Sequence, residues 1–156
     1  VIKIIPSENR IDIIDEYQET LEKCQDNLDT IKTSEDEKEE IEKHQREYEK
    51  NIEDCKILIM SLEEKQENEE DYLVLKSISK KIREFQKTIK ENEKKLNKID
   101  IANKTIKDNM KKISELEKSF LEDCGKILSK NKNITSERKE QILKVLEEKL
   151  HEEIWE

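Results

Sequence analysis

From Leu75 to Ile127 the chain sets a core-type position at alternating steps of three and four: Leu75, Ile78, Ile82, Phe85, Ile89, Asn92, Leu96, Ile99, Asn103, Ile106, Met110, Ile113, Glu117, Phe120, Cys124 and Ile127. Only Asn92, Asn103 and Glu117 interrupt the apolar run, and no glycine or proline falls between Leu75 and Cys124. A mean spacing of about 3.5 residues keeps one narrow stripe on a partner only if two helices supercoil left-handedly, so the pattern predicts a coiled-coil seam. That stripe needs a cover.

Earlier in the chain Ile11, Ile14, Tyr17, Leu21, Cys24, Leu28 and Ile31 follow similar steps. A second frame, through Lys38, Ile41, Gln45, Tyr48, Ile52, Cys55, Ile59 and Leu62, is displaced from the first by three residues. The displacement reads as a stammer, or as a new helix capped by Ser34 with Glu37 three residues on; either way a kink is expected near 32–38. A turn is expected in the polar run 66–73. After Leu128 the run Ser129 to Asn133 stops the pattern, and Thr135 or Ser136 can cap a further helix. The organisation expected is an extended N-terminal strap over 1–10, a first arm over 11–71, a second arm over 72–128 and an amphipathic helix over 134–156.

The predicted fold class is all-α, a long antiparallel coiled-coil helical hairpin with a short C-terminal helix packing at its base. Charge favours the pairing of the arms: Glu8 to Asp71 holds 24 acids and 9 bases, whereas Tyr72 to Lys118 holds 7 acids and 14 bases. Laid antiparallel, Leu62 meets Ile82 and Ile59 meets Phe85, with Tyr17 opposite Cys124 nearer the termini. A slip of one heptad would bury the same stripe, so the pattern leaves a second register open.

The last helix carries Ile142, Leu143, Leu146, Leu150 and Ile154, a face wider than a seam. It is expected to fold back towards Ile11, Ile14, Leu121 and Leu128 and to present Ile142, Leu146, Leu150, Ile154 and Trp155 as an interaction face. Asn92, Asn103 and Glu117 are expected to select register and oligomeric state at a cost in stability.

Composition narrows the picture. With 32% hydrophobic and 46% charged residues the chain cannot build a thick core, and its helices must be solvated on their outer faces. Cys24, Cys55 and Cys124 are too few and too widely spaced for a disulfide framework or a metal cluster; they are expected to be buried and reduced, which points to a cytoplasmic setting. No apolar run is long enough for a membrane span and no signal-peptide pattern opens the chain. Because it begins at Val1 rather than Met, an upstream segment is expected to have been removed.

No catalytic, cofactor-binding or metal-ligating residue is expected. The single glycine, Gly125, excludes a glycine-rich phosphate loop, His44 and His151 lack convergent partners, and the many carboxylates read as solvated helix faces. Lys76, Lys80, Arg83, Lys87, Lys90, Lys94 and Lys98 form a basic stripe opposite the seam, but Glu84, Glu91 and Glu93 beside it and a net charge of −9 weigh against nucleic acid. The partner expected is another protein, including a second copy in a homodimer. The function expected is a non-enzymatic scaffold or adaptor for protein–protein interaction or oligomerisation. The alternatives are a fragment of the coiled-coil arm of a larger ATPase of chromosome maintenance or repair, and a small helical inhibitor or antitoxin of a prokaryotic or phage system.

Overall fold

Glu and Lys dominate the stretches between the few helix breakers, so local preference favours long helices. In the computed structural model, which describes residues 2–156, these stretches form α1 (Arg10–Lys43), α2 (Gln45–Asn68), α3 (Tyr72–Ser129) and α4 (Ser136–Trp155), with no strand among the described residues. The protein is all-helical. Chain ends of helices carry the expected chemistry: Asp71 Oδ1 accepts from the Leu73 amide at 3.0 Å, and Thr135 Oγ1 accepts from the Arg138 amide at 3.2 Å.

The N-terminal segment is not extended. Two 3-10 turns, Ile2–Ile4 and Ser7–Asn9, stand where the strap over 1–10 is expected, of which Val1 lies outside the described residues. A lone strand with no neighbour would leave its backbone groups unpaired, whereas the turn lets the Asn9 amide donate to Pro6 O at 2.9 Å. Arg10 Nε also donates to Ile5 O at 2.9 Å, and Ile5 is buried.

No new helix starts at 32–38: α1 runs through it, and the helical path breaks at His44 (φ −110°, ψ 7°). Buried and half-buried positions follow one frame from Ile13 through Tyr17, Thr20, Cys24, Asn27, Ile31, Ser34, Lys38, Ile41 and Gln45 to Ile59 and Gln66. Ser34 continues that frame as a buried residue and starts no helix. The apparent stammer arises because Leu21 and Leu28 are half-buried beside Thr20 and Asn27, so a reading that follows the leucines drifts out of phase.

In α3 the inward positions include Ala102 and Asn109, while Asn103 and Met110 are exposed, contrary to expectation. At roughly 100° per residue, Ala102 and Asn103 flank the line joining Ile99, Ile106 and Ile113 at equal angles on opposite sides, so spacing alone does not choose between them. Asn109 follows Ala102 one heptad later.

The chain forms two compact units, Val1–Thr33 with Thr105–Glu156, and Ser34–Lys104. In the first, α1, α3 and α4 enclose Ile5, Ile13, Cys24, Phe120, Cys124 and Leu128 together with the apolar face of α4. Tyr17 packs edge-on against Phe120, with ring centroids 5.7 Å apart. In the second unit α2 and α3 enclose Cys55, Ile59, Ile78 and Asn92.

A polar bolt ties the first unit. Asn9, 7% exposed, donates from Nδ2 to Ile127 O at 3.5 Å and accepts at Oδ1 from Asn131 Nδ2 at 3.1 Å. Asn9→Ala strips the Asn131 amide of its acceptor and is expected to lower stability by about 1–2 kcal/mol in urea unfolding; a loss within a few tenths would mean that Asn9 ties nothing.

Candidate functional site

The apolar face of α4 is consumed inside its own unit. Ile142, Leu146, Leu150 and Ile154 are all at least 95% buried, so the expected docking face is not available; Trp155, 39% exposed, is its one accessible member. A wide apolar stripe on a short helix meets two helices rather than one, which is why it fills the core.

Glu117 and Trp155 are brought together. On α3, Glu117 accepts at Oε1 from Trp155 Nε1 at 3.2 Å, and its Oε2 lies 3.2 Å from His151 Nδ1. An acid at a seam position thus serves as a clasp for the last two turns of α4. Asn92 is buried in the second unit, where it donates to Thr88 O at 2.8 Å and accepts from Asn51 Nδ2 at 3.4 Å. Asn103 is exposed, and Asn109 is the asparagine that lies inward near it, buried and donating to Thr105 O at 2.8 Å.

Beside the core of the first unit lies an open cavity of about 660 Å³, lined by Ile5, Ile13, Ile14, Tyr17, Leu21 and Leu146, with Lys3, Gln18, Lys149 and Glu153 at its rim. The Tyr17 hydroxyl is buried without a hydrogen-bond partner among the described residues. Burial first, and the Glu153 carboxylate second, push its pKa far above the ordinary tyrosine value, although Glu153 does not reach hydrogen-bonding geometry. Sequence patterning gave no sign of this cavity, because its walls come from three separate stretches.

In the second unit, chemistry sits on the outer faces. All seven residues of the basic stripe are exposed, and none is held in an ion pair among the described residues. On α2, Glu49, Glu53, Ile57, Met60, Glu64 and Glu67 recur at the same three- and four-residue steps, all exposed and likewise without an ion pair. Tyr72, Leu73 and Val74 are exposed at the start of α3. Among the described residues no helix is long and apolar enough to cross a membrane, and no group of three or more His, Cys, Asp or Glu side chains is placed to hold a metal ion. The chain matches no family model, no curated protein and no solved structure.

Cys24, Cys55 and Cys124 are buried and unbridged. Burial, then Glu117, pushes the Cys24 thiol from 9.0 up to about 11; burial, then Glu16 and Asp123, pushes Cys124 up to about 12. Both pKa values are raised by folding, so this contribution to stability is complete below about pH 9 and is lost as pH rises towards 11 and 12. Melting temperature is therefore expected to fall over that window, less steeply in a Cys24→Ala/Cys124→Ala variant; equal slopes would remove the thiols from the account. Tyr17→Phe keeps the edge-on ring contact and deletes the orphan hydroxyl, so it is expected to stabilise the protein by about 1 kcal/mol in thermal unfolding, whereas a loss would reveal a working bond to Glu153.

Proposed function

We propose that this chain is a non-enzymatic scaffold or adaptor, built on a long antiparallel coiled-coil hairpin whose arm sets a distance and whose outer faces engage other protein surfaces. The observation that carries the reading is the descending order of partners between α2 and α3. Gln66 Nε2 donates to Ser79 Oγ at 3.0 Å, Asn51 pairs with Asn92, and Lys95 Nζ lies 5.2 Å from the centre of the Tyr48 ring. As numbers rise along α3 their partners fall along α2. These pairs support the register with Leu62 opposite Ile82, and not the slip of one heptad that would set Leu62 opposite Leu75. The three-residue link Glu69–Asp71 suits two helices that turn back on each other.

Further support comes from what the helices offer outside the cores. Charged side chains cover them, the polar side chains at Asn92 and Asn109 are bonded locally, His44 lies beside Glu40 and Glu47 where α1 gives way to α2, and His151 shares Glu117 with a tryptophan that closes a helix end. A scaffold needs length, register and surface. It needs no reacting group.

Cysteine cross-linking tests the arm. In a background with the three native cysteines changed to alanine, Leu62→Cys/Ile82→Cys is expected to form an intrachain disulfide on mild oxidation, seen as a mobility shift on non-reducing electrophoresis, and Leu62→Cys/Leu75→Cys is not. Preferential bridging of the second pair, or of neither, would rule out this register and the reading built on it.

A further inference from the structure

Two complementary stripes on the second unit have no partner within the chain. On α3 the seven cations from Lys76 to Lys98 recur at steps of three or four and cover about 33 Å of helix at 1.5 Å per residue. On α2 the stripe from Glu49 to Glu67 covers about 27 Å, with Ile57 and Met60 exposed at its centre. Exposed apolar residues also stand at both ends of the basic stripe, Tyr72 and Leu73 before it and Ile101 after it. Apolar residues thus lie within the acidic stripe and at the ends of the basic one, and the two stripes share their spacing and carry opposite sign over the length of about 27 Å that both can cover.

Their placement excludes the simplest dimer. Each stripe lies on the side of its helix away from the residues that α2 and α3 bury against one another, Cys55 and Ile59 on α2 and Ile78 and Asn92 on α3. A single two-fold contact would need both stripes on one side. One contact between an acidic stripe and a basic stripe uses one face of each copy and leaves the opposite face free, which is a heterologous, non-closing arrangement.

We infer that the second unit binds further copies of this chain side by side, the acidic α2 stripe of one copy docking on the basic α3 stripe of the next, to build an open, salt-sensitive stack. The inference rests on the scaffold reading above and gives it a partner, the chain itself. Nucleic acid suits the stripe less well: Glu84 and Glu91 flank the cations, and the chain carries a net charge of −9.

The test is sedimentation velocity of the full chain across a concentration series, at about 0.01 M salt and at about 1 M, where the screening length falls from about 30 Å to about 3 Å. The average mass is expected to climb past that of a dimer at low salt and to return to that of the monomer at high salt. Lys87→Glu/Lys90→Glu/Lys94→Glu and Glu53→Lys/Glu64→Lys/Glu67→Lys, each checked for helix content by circular dichroism, are each expected to stay monomeric alone. Mixed in equal amounts they are expected to associate again, because every contact between unlike variants regains opposite charge. A mass independent of concentration, growth that stops at two copies, or a mixture that stays monomeric overturns the inference. So does concentration-independent mass together with salt-dependent binding of a labelled DNA duplex that the lysine variant loses, which assigns the stripe to phosphates. If the 62–82 cross-link forms while the mass stays flat, the stack alone has failed; if the cross-link does not form, the arm itself has failed.

Discussion

Scarcity of apolar side chains is the constraint from which the rest of the architecture follows. A chain in which charged residues outnumber hydrophobic ones can hide only a line along each helix, and a line is covered by one neighbour or two, never by a surrounding shell. Where three helices meet, the lines converge, and Ile13, Ile113, Phe120, Leu128, Ile142 and Leu150 become almost wholly buried. Where only α2 and α3 meet, most inward positions stay half-buried. Local opening is therefore cheapest in the second unit, since its helices give up the least apolar burial when they part.

The asparagines inside these lines are tolerated because each finds a partner close in sequence or directly across. Asn92 and Asn109 both return their amide to the carbonyl four residues back, which removes most of the cost of burying them and leaves the remaining oxygen to speak to a neighbour. For Asn92 that neighbour is Asn51. An amide pair of this kind adds little to stability but penalises every sliding of one helix along the other, since a displaced Asn92 would face an apolar or charged side chain instead.

Helical class, the turn within 66–73 and the start of the last helix were legible from residues alone, because they depend on local chemistry, whereas the break at His44 was not. Pro6, the polar run after Leu128 and the Thr135 cap act within a turn of where they stand, and periodicity does not depend on what covers it. What escaped required knowledge of neighbours. A leucine half-buried beside an inward threonine, as at Leu21 and Thr20, is indistinguishable in sequence from a seam leucine, and this produced a stammer that the helix does not have. Asn103 and Ala102 flank one inward line symmetrically, and the alanine, not the asparagine, is the one buried. The face of α4 was read as folding back towards α1 and α3 and also as an interaction face, and the completeness of its burial there, which leaves the second reading only Trp155, depends on how closely the neighbours approach. Asn9 gave no signal at all: an asparagine before a helix reads as a turn residue until Asn131 is seen against it.

The clasp at Glu117 has a spectroscopic consequence. Trp155 is the only indole in the chain, and its N–H is engaged by a single carboxylate on α3. Intrinsic fluorescence thus reports the seating of one helix end, while far-ultraviolet dichroism averages over every turn of the molecule. Comparing the two signals during denaturation would separate release of that end from loss of helix elsewhere, with no added label.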